Sequence, residues 1–159
     1  MKKMYILSAI MALVFIAGCE SRTDAMQKEA LALLAKPAPA EYSLNEQTVI
    51  NESSATLEAA EGIFDVKLDV AIRFGELKGV ATSYKLVQAD KSTRYLLGFN
   101  AEHVDKNLHL VTTQAVPHEV AHFVAWEKGD PNAHSPSWRS YCRQLTSKSN
   151  CNELITKSG

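Results

Sequence analysis

The chain has 159 residues, with 17 lysines and arginines against 18 aspartates and glutamates, and a net charge of −1. That balance, with no run of basic residues interleaved with aromatics, excludes the electrostatic footprint of a nucleic-acid binder. The length allows one domain around one hydrophobic core.

The first residues read as an export leader. Lys2 and Lys3 supply a positive start, Met4 to Ile16 an apolar run, and Ala17-Gly18 a small-residue cleavage site before Cys19. The run is shorter than the roughly 20 residues a spanning helix needs. Cysteine directly after Ala-Gly resembles the bacterial lipobox, in which that thiol is acylated and becomes the first residue of the mature protein. An ordinary signal peptide cut nearby, with Cys19 incidental, is the alternative. Removing residues 1–18 takes away Lys2 and Lys3 and leaves 15 basic residues against 18 acidic ones, a net charge of −3. Acyl chains, at about 0.8 kcal/mol per buried methylene, would hold the protein to a membrane. Aspartate after the cysteine often marks inner-membrane retention, so Glu20 favours the outer membrane, with the domain facing the periplasm.

Residues 19–43 are expected to form a tether and linker, in which residues 20–36 are a short amphipathic segment or a tether close to the membrane. Ala25, Met26, Leu31, Leu33 and Leu34 recur at helical spacing, and Pro37-Ala38-Pro39-Ala40 stiffens the chain beyond them. The domain proper is expected over residues 44–159. A helix from Leu44 to Glu61 gathers Val49, Ile50, Ala55, Leu57 and Ala60 on one side. Val66 to Phe74 alternates apolar and polar residues, the pattern of a half-buried strand. A turn at Gly75–Gly79 follows, then strands over Val80–Leu86 and Arg94–Phe99 joined by a polar hairpin loop at Gln88–Ser92. The expected architecture is α+β, a small three-stranded antiparallel sheet packed against two or three helices. His103 and His109 come next and are expected in surface or core roles.

The most informative segment is His118-Glu119-Val120-Ala121-His122, with His134 twelve residues further on. On a helix, positions i and i+4 share a face, so the His118 and His122 rings can converge on one ion. Imidazole nitrogens suit Zn²⁺, and three protein ligands with one open position is the catalytic arrangement. Glu119 stands aside from the metal axis, within reach of a water. Val116, Val120, Phe123, Val124 and Trp126 make this a buried, zincin-type HExxH helix, where two histidines and a carboxylate are costly unless something compensates them. Pro117 leaves two possibilities: the helix starts near Val116, or an earlier helix from Thr112 bends there. Gly129-Asp130-Pro131-Asn132 ends it, and Ser135-Pro136 opens a second helix, Ser137 to about Thr146, that carries Trp138, Tyr141, Cys142 and Leu145 inward. With Cys19 acylated, Cys142 and Cys151 remain as a pair for a disulfide; a buried free thiol or a metal site are the alternatives.

The run Val116-Pro117-His118-Glu119-Val120-Ala121-His122, then Trp126, then His134-Ser135-Pro136-Ser137-Trp138, resembles the SprT-like zinc metallopeptidase family. Its members carry a V-P-H-E-x-A-H helix and a downstream H-G-x-x-W segment with the third histidine. Gly79–Tyr84 and Tyr95–Asn100 are similar to two strands of that family, so the resemblance covers roughly residues 55–146. It implies a peptidase in which His118, His122 and His134 hold Zn²⁺, Glu119 is general base, and the partner is a protein or peptide substrate. Two departures stand out. Ser135 replaces the family's glycine, and the chain has no basic or C-x-x-C module of the kind appended in members that act on DNA-bound substrates. Tyr141 or Arg139, on the helix after His134, are candidates to stabilise the transition state. The competing class is a non-catalytic envelope lipoprotein whose zinc site is structural and whose fold is a binding scaffold.

Overall fold

The computed structural model describes residues 22–88, 90–146 and 151; the expected leader and Cys19 lie outside them. The first helix, α1, is Arg22–Ala35, and the second, α2, is Leu44–Phe64. A capping box starts α2: Ser43 Oγ accepts from the Glu46 N–H at 3.2 Å, and Glu46 Oε2 accepts from the Ser43 N–H at 2.9 Å. The helix runs one turn past the expected Glu61 and stops at Asp65, whose φ of 50° breaks the helical path. Its buried face is Val49, Ser53, Ala60 and Phe64.

Three strands follow: β1 (Val70–Gly75), β2 (Ala81–Val87) and β3 (Thr93–Asn100), in the order β1-β3-β2. The β2–β3 hairpin is antiparallel as expected, with Ser83 opposite Leu97. β1 runs parallel to β3, with Ile72 opposite Leu97, so the sheet is mixed and the all-antiparallel expectation is corrected. The reason lies in β3. Tyr95 through Phe99 are buried without interruption, which requires cover on both faces and a neighbour on both edges, so β3 takes the centre and β1 is displaced to its far side. β1 also starts four residues later than the alternation suggested, at Val70.

One face of the sheet carries Tyr95, Leu97 and Phe99 against Val49, Val120 and Phe123 of the helical layer. The other face carries Tyr84, Leu86 and Leu96, and α1 covers it with Ala30 and Leu33. Thus the stretch expected as a short amphipathic segment or a tether includes a helix packed on the sheet. Glycines make the close approach possible: a Cβ on Gly75 would sit 2.6 Å from Leu33 Cδ2, and one on Gly98 would sit 3.0 Å from Leu33 Cδ1.

After β3 the chain turns into α3 (Ala101–Lys106), whose first amides are capped by Asn100 Oδ1. α4 (Leu108–Leu110), a π-helical segment (Val111–Ala115) and α5 (Val116–Glu127) then succeed one another, and α6 is Pro136–Leu145. Pro117 is thereby explained. It cannot donate to the preceding turn, and its ring clashes with the carbonyl four residues back; widening that turn to i→i+5 relieves both. Thr113 Oγ1 donates to the His109 carbonyl at 2.7 Å within the loosened turn. A disulfide joins Cys142 of α6 to Cys151, with Cα atoms 5.9 Å apart, and packs beside Ala121, Ala125 and Trp138.

Candidate metal centre

α5 places His118 and His122 one turn apart, and the loop before α6 brings His134 to face them. The ring centroids lie 5.3, 5.0 and 5.0 Å apart, and one nitrogen from each ring falls within 4.8 Å of the other two. His118 Nε2 and His134 Nε2 are 3.0 Å apart. Two nitrogens each about 2.05 Å from an ion at the tetrahedral angle are about 3.3 Å apart, so the triad is already close to ligating geometry. Burial lowers the His118 pKa to about 4, with the charge of His134 as a lesser cause. Burial likewise lowers His122 to about 3, with His118 and His134 adding to it. Both rings are therefore neutral at physiological pH, the state in which a nitrogen lone pair is free to bind. The donor set fits a borderline-soft divalent ion.

Trp138, fully buried on α6, forms the wall behind the triad. Its ring lies 4.6 Å from His118 and 4.5 Å from His134, both edge-on, and stacks on His122 at 5.1 Å. Metal-bound histidines usually rest their second nitrogen on a carboxylate or carbonyl. His118 Nδ1 is buried and meets no hydrogen-bond partner among the described residues, so contact with Trp138 sets that ring's orientation.

Glu119 is held from the sheet. Its Oε2 accepts from the Ser83 N–H at 2.9 Å, and the Ser83 hydroxyl lies 2.5 Å away. That hydroxyl is also 2.9 Å from the Glu119 carbonyl oxygen, and its single proton serves one acceptor at a time. Burial raises the Glu119 pKa to about 7, against the lowering effect of both Ser83 contacts. Such a carboxyl can take up and release a proton near neutrality. Both donors reach Oε2, which leaves Oε1 to accept another proton.

The loop that delivers His134 is tied down locally. α5 ends in a Schellman motif: Asp130 N–H reaches the Ala125 carbonyl at 2.8 Å, Gly129 N–H reaches that of Trp126 at 3.1 Å, and Gly129 has φ 79°. Asp130 then accepts from the Asn132 N–H at 3.0 Å and from the Ser135 hydroxyl at 2.5 Å, which holds its carboxyl below the usual carboxylate range. Ser135 Oγ in turn caps α6 by accepting from the Trp138 N–H at 3.0 Å. Its φ of −61° is ordinary extended backbone, so no glycine is required there; the left-handed residue is His134 itself, at φ 56°. A cavity of about 400 Å³ opens over the triad, lined also by Met26, Ser83, Glu119, Trp126 and Pro131.

Of the residues expected to act here, His118, Glu119, His122 and His134 are brought together. Tyr141 and Arg139 are not among the cavity's lining residues; Tyr141 packs edge-on against Phe64 with centroids 5.1 Å apart. Cys19 lies outside the described residues. His103 and His109 sit on α3 and α4, apart from the triad. Trp138, expected inward and part of the H-x-x-x-W run, is joined at the site by Ser83 and Asp130, which the motifs do not include. Ser83 had one signal, a small hydroxyl among the apolar residues of a strand.

A mixed sheet backing a helix with two histidines, and a third histidine at the mouth of the next helix, define a protein able to hold a metal ion beside a buried carboxylate. The SprT-like family model matches residues 45–157, and the chain belongs to that family. No curated protein matches the chain, and no solved structure does. α1 lies before the matched span.

Proposed function

We propose that the protein is a zinc-dependent peptidase, a reading carried by one observation: Ser83 holds Glu119 beside three imidazoles that converge on one point. Zn²⁺, held by His118, His122 and His134, would supply Lewis acidity to a water and to the scissile carbonyl. Glu119 takes a proton from the attacking water on Oε1 and returns it to the leaving amine. Ser83 keeps the carboxylate turned toward the cavity throughout, and Trp138 shields one side of the site from solvent. The cell address belongs to the same proposal. Export through the leader and acylation at Cys19 would place the domain on the envelope membrane, facing the periplasm, where its substrates are protein or peptide and not nucleic acid.

Zinc content and casein cleavage in wild type, Glu119→Ala and His118→Ala test the chemistry. Glu119→Ala keeps zinc and loses cleavage, whereas His118→Ala loses both; persistent cleavage in Glu119→Ala rejects the base. A structural zinc site predicts that wild type binds zinc and cleaves nothing. For the address, Cys19→Ala is expected in the soluble fraction, and its continued sedimentation with membranes rejects acyl anchoring.

A further inference from the structure

Beyond the metal cavity, a second hollow of about 240 Å³ continues along β2, lined by Met26, Gln27, Tyr84, Lys85, Leu86 and Trp126. Met26, Ser83 and Trp126 belong to both hollows, so the two form one groove pinched between α1 and α5. Its volume is below the roughly 300–1,000 Å³ typical of sites for free small ligands, which suits a single side chain better than a whole molecule.

The edge of β2 explains how a side chain would reach it. β2 is the outer strand next to the site, and among the described residues it pairs with β3 alone. The Ser83 N–H points away from β3, because it donates to Glu119. Strand alternation then turns the peptide groups of Ala81, Lys85 and Val87 the same way, and the Asn100 N–H bonding the Val80 carbonyl confirms that the even positions face β3. Lys85 lies two residues from Ser83, about 7 Å along the strand. An extended polypeptide added to this edge, with one residue at Ser83 under attack, sets a residue about two positions away beside the second hollow.

We propose that this hollow is a specificity pocket for a large apolar side chain of the substrate, about two residues from the bond cut, with Met26 of α1 as its discriminating wall. The proposal rests on the peptidase reading. Met26 comes from the helix that precedes the family-matched span, whereas Ser83, Tyr84, Lys85, Leu86 and Trp126 lie within it. Lys85, the one charged residue among its described lining, is exposed, so a charged side chain buried in the hollow meets no buried counter-charge.

Quenched fluorescent peptides with Phe, Leu, Asp or Lys scanned across three positions on either side of the cut bond test this, with zinc content and circular dichroism recorded for each variant. Wild type is expected to prefer Phe or Leu over Asp at one position by at least about tenfold in kcat/KM. Met26→Leu retains the preference. Met26→Glu removes it, and raises cleavage of the Lys peptide relative to the Phe peptide. A wild type that cleaves with Glu119 dependence yet ignores side-chain identity overturns the pocket, as does a folded, zinc-loaded Met26→Glu with the preference intact. Absence of peptide cleavage by zinc-loaded wild type overturns the peptidase reading instead.

Discussion

His134 reaches its ring across to α5 from a left-handed backbone, φ 56°, which costs a non-glycine residue about 1–2 kcal/mol. Strain of this kind persists where surroundings over-determine it, and here the cap at Ser135 and the Asp130 carboxylate fix both sides of the turn. The titratable groups of the site pull stability in opposite directions when no metal is bound. His118 and His122, at about 4 and about 3, regain their ordinary value near 6.5 on unfolding, so the stability they contribute at neutral pH is lost as pH falls below 6.5. Glu119, raised to about 7 from 4.5, behaves conversely: its contribution is complete below 4.5 and disappears as pH rises through 7. The two windows overlap between about 4.5 and 7, where two histidines outweigh one carboxyl, so the metal-free protein should gain stability up to neutrality and change little beyond it. Urea unfolding with chelator present, at about pH 5, 7 and 9, is expected to show a rise between the first two values and a plateau between the last two. Glu119→Gln removes the opposing contribution and should steepen the rise from pH 5 to 7.

Between α5 and α6, the short loop acts through one carboxylate. Asp130→Ala removes the acceptor for Asn132 and Ser135 without touching a ligand, and should lower zinc affinity about 10–100-fold while the fold survives. Competition against a chromophoric chelator measures this, and an unchanged affinity would show that the Schellman turn alone positions His134. The motif helix, the cap at Ser135 and the β2–β3 hairpin were legible in the sequence, because each depends on spacing or turn chemistry within a few residues. Strand order was not. β1 and β3 pair across more than twenty positions, and only the uninterrupted run Tyr95 to Phe99 hinted at a strand covered on both sides. The docking of α1 was not legible for a related reason. Its apolar residues are few, and their partners, Leu77, Tyr84 and Leu96, are more than forty residues distant. Ser83 and Glu119 meet across 36 positions, a contact no local pattern encodes.

At the scale of the whole molecule, the sheet is a partition. The helical layer on one face carries His118 and His122, while α1 closes the other and brings Met26 to the rim of the groove. The Cys142–Cys151 bridge stands at the outer side of this arrangement, fastening a residue near the C-terminus to the helix that presses Trp138 against all three imidazoles. Closing so short a loop constrains the unfolded chain by about 2–3 kcal/mol. Cys142→Ser, or wild type kept in dithiothreitol, is accordingly expected to release zinc faster to a chelator than the oxidised protein. Equal release rates would show that α6 stays in place without its covalent brace. On the proposed envelope address, a copy still in a thiol-rich compartment would lack that fastening. Maturation of the proposed peptidase would then wait for the oxidising side of the membrane, and such a delay would spare the proteins around the ribosome that made it.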